Sequence, residues 1–159
     1  MTRNVAFTAG EALQVLSFEV GTQTYCVPVG TVREIRGVTP ATQLPDAPPY
    51  VRGVINLRGQ VMPVIDLSAR LGKGLAQDGP RQVIIVIESR DDVAGLLVDA
   101  VCDSFIVAPE QINAPPSMGE DASPLVSAVI TSDEGMVVLL AVHAIIPERT
   151  AALDAAQAA

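Results

Sequence analysis

Gly53-Val54-Ile55-Asn56-Leu57-Arg58-Gly59-Gln60-Val61-Met62-Pro63-Val64-Ile65-Asp66-Leu67 is the stretch from which the fold of this chain can be read. Two apolar runs flank the pair Arg58-Gly59. The runs are rich in β-branched residues, which pack well on a pleated surface. A tight hairpin follows, with Gly59 taking a positive φ that glycine adopts at little cost. The turn puts Arg58 at the hairpin tip rather than in the core.

Working outward, the same pattern repeats. Leu16, Phe18 and Val20 alternate with Ser17 and Glu19, which reads as a half-buried strand over 13–20. Gly21-Thr22-Gln23 is a turn. A second strand places Tyr25, Val27 and Val29 on one face, and Pro28, which lacks an amide donor, assigns it to a sheet edge or a bulge. Thr31 to Arg36 reads as one or two helical turns, with Thr31 as N-cap, Val32 and Ile35 inward and Gly37 as the stop. Pro40 to Pro49 is a proline-rich loop, and Ser68 to Leu71 a helical turn. Gln82 to Glu88 is continuously apolar, as in a strand covered on both faces. Further strands are expected over 93–98 and 101–107, then a loop over 109–124. A last hairpin joins 125–131 to 136–142 across Ser132-Asp133-Glu134-Gly135. Residues 1–11 form a tail, and the alanine-rich end after Pro147 suits a short helix. Nine or ten short strands suffice for two small barrels.

The composition agrees. Hydrophobic residues make up 49% of the 159 residues and charged residues 18%, enough to fill a core; with no Trp, that core is built from Val, Ile, Leu and Ala. Twelve Gly and twelve Pro interrupt the chain at the short intervals that strands need. Mean hydropathy is positive at +0.39. The longest apolar stretch, Met136 to Ile146, is nevertheless interrupted by His143 and too short to span a bilayer as a helix. With no signal peptide pattern, a cytoplasmic chain is expected, and Cys26 and Cys102, each inside an apolar run, read as two buried reduced thiols.

The chemistry of most enzymes is absent from the sequence. Gly72-Lys73-Gly74 lacks the remaining residues of a phosphate loop, and no GxGxxG or GxSxG occurs. The single histidine, His143, excludes most His-based metal clusters and reads more readily as a strand-end polar residue than as a phosphoacceptor. Asp91-Asp92 and Glu120-Asp121 are turn formers rather than acid–base pairs, and Asp99 and Asp103 sit at strand ends. No calcium-loop spacing is present. No catalytic, cofactor or metal residues are therefore assigned.

The net charge of −8 argues against nucleic acid as a partner. Yet residues 30–75 hold Arg33, Arg36, Arg52, Arg58, Arg70 and Lys73 against only Glu34, Asp46 and Asp66. A basic segment in an acidic chain suits an oriented docking surface. Arg58 at its tip, with Glu34 nearby, reads equally as an interface residue or as an ordinary surface ion pair.

At this point the chain resembles a known family. Val32-Arg33-Glu34-Ile35-Arg36-Gly37, Val51 to Gly59, Pro63-Val64-Ile65-Asp66-Leu67 and Ala94-Gly95-Leu96-Leu97-Val98-Asp99-Ala100-Val101 resemble, in order, the signatures of the CheW family of chemotaxis coupling proteins. The similarity runs from about residue 13 to about 148. It implies an all-β fold of two intertwined five-stranded SH3-like barrels over 12–150, with tails at 1–11 and 151–159. It also implies an adaptor without enzymatic activity or cofactor, joining the cytoplasmic tip of a methyl-accepting chemoreceptor to the regulatory domain of the histidine kinase CheA. The matching groove positions are Val32, Glu34, Gly53, Asn56, Arg58, Gly59, Gly95 and Val98. A ligand-binding β-barrel and a purely structural oligomer are the alternatives from other classes.

Overall fold

The computed structural model describes residues 12–115, 124–133 and 135–146. The strands are β1 (Leu13–Val20), β2 (Gln23–Pro28), β3 (Val32–Gly37), β4 (Val51–Leu57), β5 (Gln60–Asp66), β6 (Val83–Ser89), β7 (Asp92–Val98), β8 (Ala100–Val107), β9 (Ile112–Asn113), β10 (Val126–Ser132) and β11 (Gly135–Leu140). Two single-turn helices, α1 (Leu67–Arg70) and α2 (Val142–Ile145), follow β5 and β11. The strands form two sheets, a six-stranded one in the order β8-β1-β2-β11-β10-β9 and a five-stranded one in the order β3-β6-β7-β5-β4. The first sheet is thus built from both ends of the described chain and the second from its middle, which is how the two halves interlock.

Three apolar clusters explain the arrangement. Leu13, Val15, Cys26, Val107, Ala128, Ile130 and Leu139 pack together within the six-stranded sheet. Ile55, Met62, Val64, Ile84, Val86 and Leu97 do the same in the five-stranded sheet. Between the sheets lies a shared core containing Phe18, Val27, Ile65, Ile85, Leu96, Val98 and, from α2, Val142 and Ile145. The edges of the six-stranded sheet, β8 and β9, are joined by a single 3₁₀ turn at Pro109–Gln111, so the chain itself steps across the seam. The expectation of a two-part all-β fold holds, with β9 as a sixth strand in one half.

Some local expectations need correction. Thr31–Arg36 is not helical: a 3₁₀ turn at Val29–Thr31 leads into strand β3. The strand β1 is buried on both faces rather than half-buried, because Leu13 and Val15 face one cluster while Leu16, Phe18 and Val20 face the shared core. Its Ser17 is buried at a bulge, where its hydroxyl donates to the Asp103 carbonyl and accepts from the Asp103 amide, both at 3.1 Å. Pro28 ends an internal strand, not an edge. The ladder of β2 to β11 pairs only Tyr25 and Cys26, so no bond is lost at the proline. The apolar run 136–146 divides into β11 and α2, which puts the exposed His143 on a helical turn. The expected helix after Pro147 and the tails 1–11 and 151–159 lie outside the described residues.

Candidate functional site

The hairpin of β4 and β5 closes as the sequence predicts. Leu57 pairs with Gln60, leaving a two-residue loop in which φ is +52° at Arg58 and +86° at Gly59. Two successive positive φ values define the type I′ turn, whose twist matches that of the flanking strands. A left-handed conformation costs a residue with a Cβ about 1–2 kcal/mol. Asn56 offsets part of that cost: its side-chain oxygen accepts from the Gly59 amide at 2.9 Å. The turn holds Arg58 out, 72% exposed, and its guanidinium pairs with Glu34 of β3, which is 27% exposed. On β3, Glu34 also faces Arg36 at 3.8 Å. Arg33 donates to the Gln60 side chain at 3.4 Å and stands 3.7 Å from Glu88. These contacts form a solvent-exposed clasp between the hairpin tip and β3. A 130 Å³ cavity lies behind the clasp, lined by Arg33, Glu34, Leu57, Arg58, Gln60 and Val86.

The opposite end of this sheet carries a second polar node. Asp66 is fully buried and caps α1, accepting from the Ala69 amide at 3.2 Å and the Ala76 amide at 2.9 Å. Arg52 donates to the same carboxylate at 3.2 Å and to the Ala76 carbonyl at 3.2 Å. The node ties the segment after α1 to β4 and β5. Both residues lie in the family-like stretches, and an Asp ending an apolar strand ahead of Leu67-Ser68 is an N-cap signal for this role.

The residues expected to line a groove separate into two groups. Asn56, Arg58 and Gly59 are exposed, and Val32 and Glu34 are half-buried on β3. Glu34 is on a strand rather than the expected short helix. Gly53, Gly95 and Val98 are buried. Gly53 has φ +147°, and a Cβ there would stand 2.4 Å from the Thr42 carbonyl oxygen; its role is to let the 40–49 loop lie on β4 through the Thr42–Val54 backbone pair. A Cβ on Gly95 would meet the Ile84 side chain at 2.6 Å, inside the five-stranded sheet. Val98 belongs to the shared core. Exposed Arg33 and half-buried Gln60, neither among the expected groove residues, lie beside this first group.

Of the cysteines, only Cys26 is buried as expected, and burial pushes its thiol up to about 12. Cys102 is exposed on β8, an edge strand, and its pKa is raised, first by partial burial and then by Glu19. Among the described residues no group of three or more His, Cys, Asp or Glu side chains is placed to hold a metal ion, and no helix is long and apolar enough to cross a membrane.

Comparison with known proteins gives a consistent picture. The family model of the CheW-like domain matches residues 14–150. A chemotaxis protein CheW of Rhizobium meliloti is 43% identical over 155 residues, covering 96% of this chain and all (100%) of that protein. A probable chemotaxis protein CheW of Rhizobium etli is 44% identical over 85% of this chain and 88% of its own length. Among solved structures, the scaffolding protein TtCheW of Thermoanaerobacter tengcongensis superposes with a TM-score of 0.79 at 28% identity, covering 85% of this chain and 92% of that one.

Proposed function

The chain belongs to the CheW-like family of chemotaxis scaffold proteins, which are not enzymes, and from that premise we propose that it joins the cytoplasmic tip of a methyl-accepting chemoreceptor to the regulatory domain of the histidine kinase CheA. The single observation that carries this reading is the Arg58 tip. An exposed arginine is held in a costly backbone conformation by Asn56 and aimed by Glu34, an arrangement with little value for folding. Exposed ion pairs contribute ~0–1 kcal/mol to stability, whereas arginines are prominent among the residues that carry interface energy.

In this reading Val32, Glu34, Asn56, Arg58 and Gly59 form the receptor-facing rim. Gly53, Gly95 and Val98 act from behind it, by setting how closely β4 and β7 pack. The mechanism is geometric: a stiff two-sheet body in the cytoplasm fixes receptor and kinase in one array at the membrane, so that the receptor's state biases kinase activity without chemistry in the adaptor. The test is co-elution of a soluble receptor-tip fragment with the isolated kinase regulatory domain. The two should migrate together only when this chain is present. Unchanged migration of both partners in its presence overturns the proposal.

A further inference from the structure

Six basic residues lie in the segment 30–75, and the structure sorts them. Arg52 is committed to Asp66. Arg70 donates to the Ala144 carbonyl at 3.0 Å and stacks on Tyr50 at 4.6 Å, and Lys73 lies 5.2 Å from the Tyr25 ring. These three hold the fold together. Arg33, Arg36 and Arg58 remain, gathered on one end of the five-stranded sheet around Glu34 and Glu88. The cluster has one more positive charge than negative, on a chain whose net charge is −8.

Its arginines are incompletely used. A guanidinium carries five N–H donors in a planar fork that fits a carboxylate at two points. Arg58 spends its contact on Glu34 alone. Arg33 has only a 3.4 Å bond to Gln60 and a distant 3.7 Å approach to Glu88, and its side chain is 46% exposed. Both line the 130 Å³ cavity, whose other walls include the apolar Leu57 and Val86. A space of that size takes one side chain. Two cationic forks in its lining, offset by the single carboxylate of Glu34, leave a net positive site that suits a carboxylate from outside.

We propose that this cavity receives an acidic side chain, Glu or Asp, from the protein partner that docks on the Arg58 tip, and that Arg33 is a specificity-determining residue there. The inference rests on the scaffold reading above and names the chemistry of its contact. Glu34 then has a second purpose. It orients Arg58 in the free protein and leaves the other donors of that guanidinium turned to the partner. Arg33, outside the expected groove residues, supplies the second fork.

The test is a double-mutant cycle between this chain and a soluble receptor-tip fragment. Each Glu or Asp of the fragment is changed in turn to Gln or Asn, and each variant is titrated against wild type and Arg33→Gln, with thermal melts alongside. Arg33→Gln should weaken binding about fivefold to tenfold while leaving the melt nearly unchanged, the size expected of a charge-assisted contact. One acidic position of the fragment should cause a similar loss on wild type and little further loss on Arg33→Gln, since paired residues are non-additive. Additive losses at every acidic position, or undiminished binding by Arg33→Gln, overturn the inference and leave the scaffold reading standing. Absence of binding between wild type and the fragment overturns both.

Discussion

Adding one methyl group at Gly53 is expected to destabilise the chain severely, although the position is on no surface. The residue has φ +147°, a region essentially closed to residues with a Cβ, and the strain alone is worth about 1–3 kcal/mol. The new Cβ would stand 2.4 Å from the Thr42 oxygen and 2.7 Å from its carbonyl carbon. Those atoms are backbone and cannot rotate aside, so the 40–49 loop must lift. Lifting it gives up the two bonds of the Thr42–Val54 pair, each 2.9 Å long, at about 1 kcal/mol apiece. Gly53→Ala should therefore cost about 3–5 kcal/mol, a large share of the ~5–15 kcal/mol typical of a domain. Urea unfolding followed by far-UV circular dichroism measures it. Gly59→Ala is the control: φ is +86° but nothing lies within 4 Å of its Cβ, so only conformational strain applies, about 1–2 kcal/mol. A Gly53→Ala loss below that of Gly59→Ala would refute the close-approach argument.

Other expectations follow from the same structure. Asp66→Ala removes the acceptor of Arg52 and of two backbone amides and should cost about 2–4 kcal/mol in the same denaturation assay; a loss under 1 kcal/mol would refute a structural role. With a thiol-reactive chromophore the native chain should release one equivalent rapidly, from Cys102, and the second only on unfolding, since Cys26 is buried. Burial raises its folded pKa to about 12, above the 9.0 of a free thiol, so the folded state retains a proton that the unfolded chain loses. The thiol's contribution to stability is therefore complete below pH ~9 and declines as pH rises toward ~12, a decline that Cys26→Ala should lessen in pH-dependent melts.

What was legible in the sequence was local. The β4–β5 hairpin carries its own turn chemistry in Asn56, Arg58 and Gly59, so its tip was readable without the rest of the fold. The strand β3 was not. Val32 and Ile35 are three apart, a helical spacing, but β3 is a strand with a bulge between Val32 and Glu34: Val32 packs on the shared core opposite Ile87, while Ile35, opposite Ile85, is exposed. Ser17 and Glu19 gave β1 a polar side in the sequence, but Ser17 is buried at a bulge and Leu13 and Val15 pack on the second cluster, so both faces are covered. The apolar run 136–146, interrupted by His143 only after the helical turn has begun, gave no mark where strand passes to helical turn. Cys102 was misjudged because its neighbours are apolar while the strand itself lies at an edge. Whether Gly53 and Gly95 touched a partner or their own fold depended on atoms distant in the chain, Thr42 and Ile84, which no local pattern announces.

The central claim is that Arg58 is spent on binding rather than on folding, and paired measurements on one variant test it directly. Arg58→Ala removes the guanidinium and its pair with Glu34 while retaining a Cβ at the same left-handed position. Thermal melts of wild type and variant should differ by only a few degrees, as roughly 1 kcal/mol would produce in a domain of this size. Titration with the receptor-tip fragment should show affinity reduced at least ~10-fold, the loss expected for an arginine that carries interface energy. An unfolded variant, or one that binds the fragment as tightly as wild type, would contradict the account.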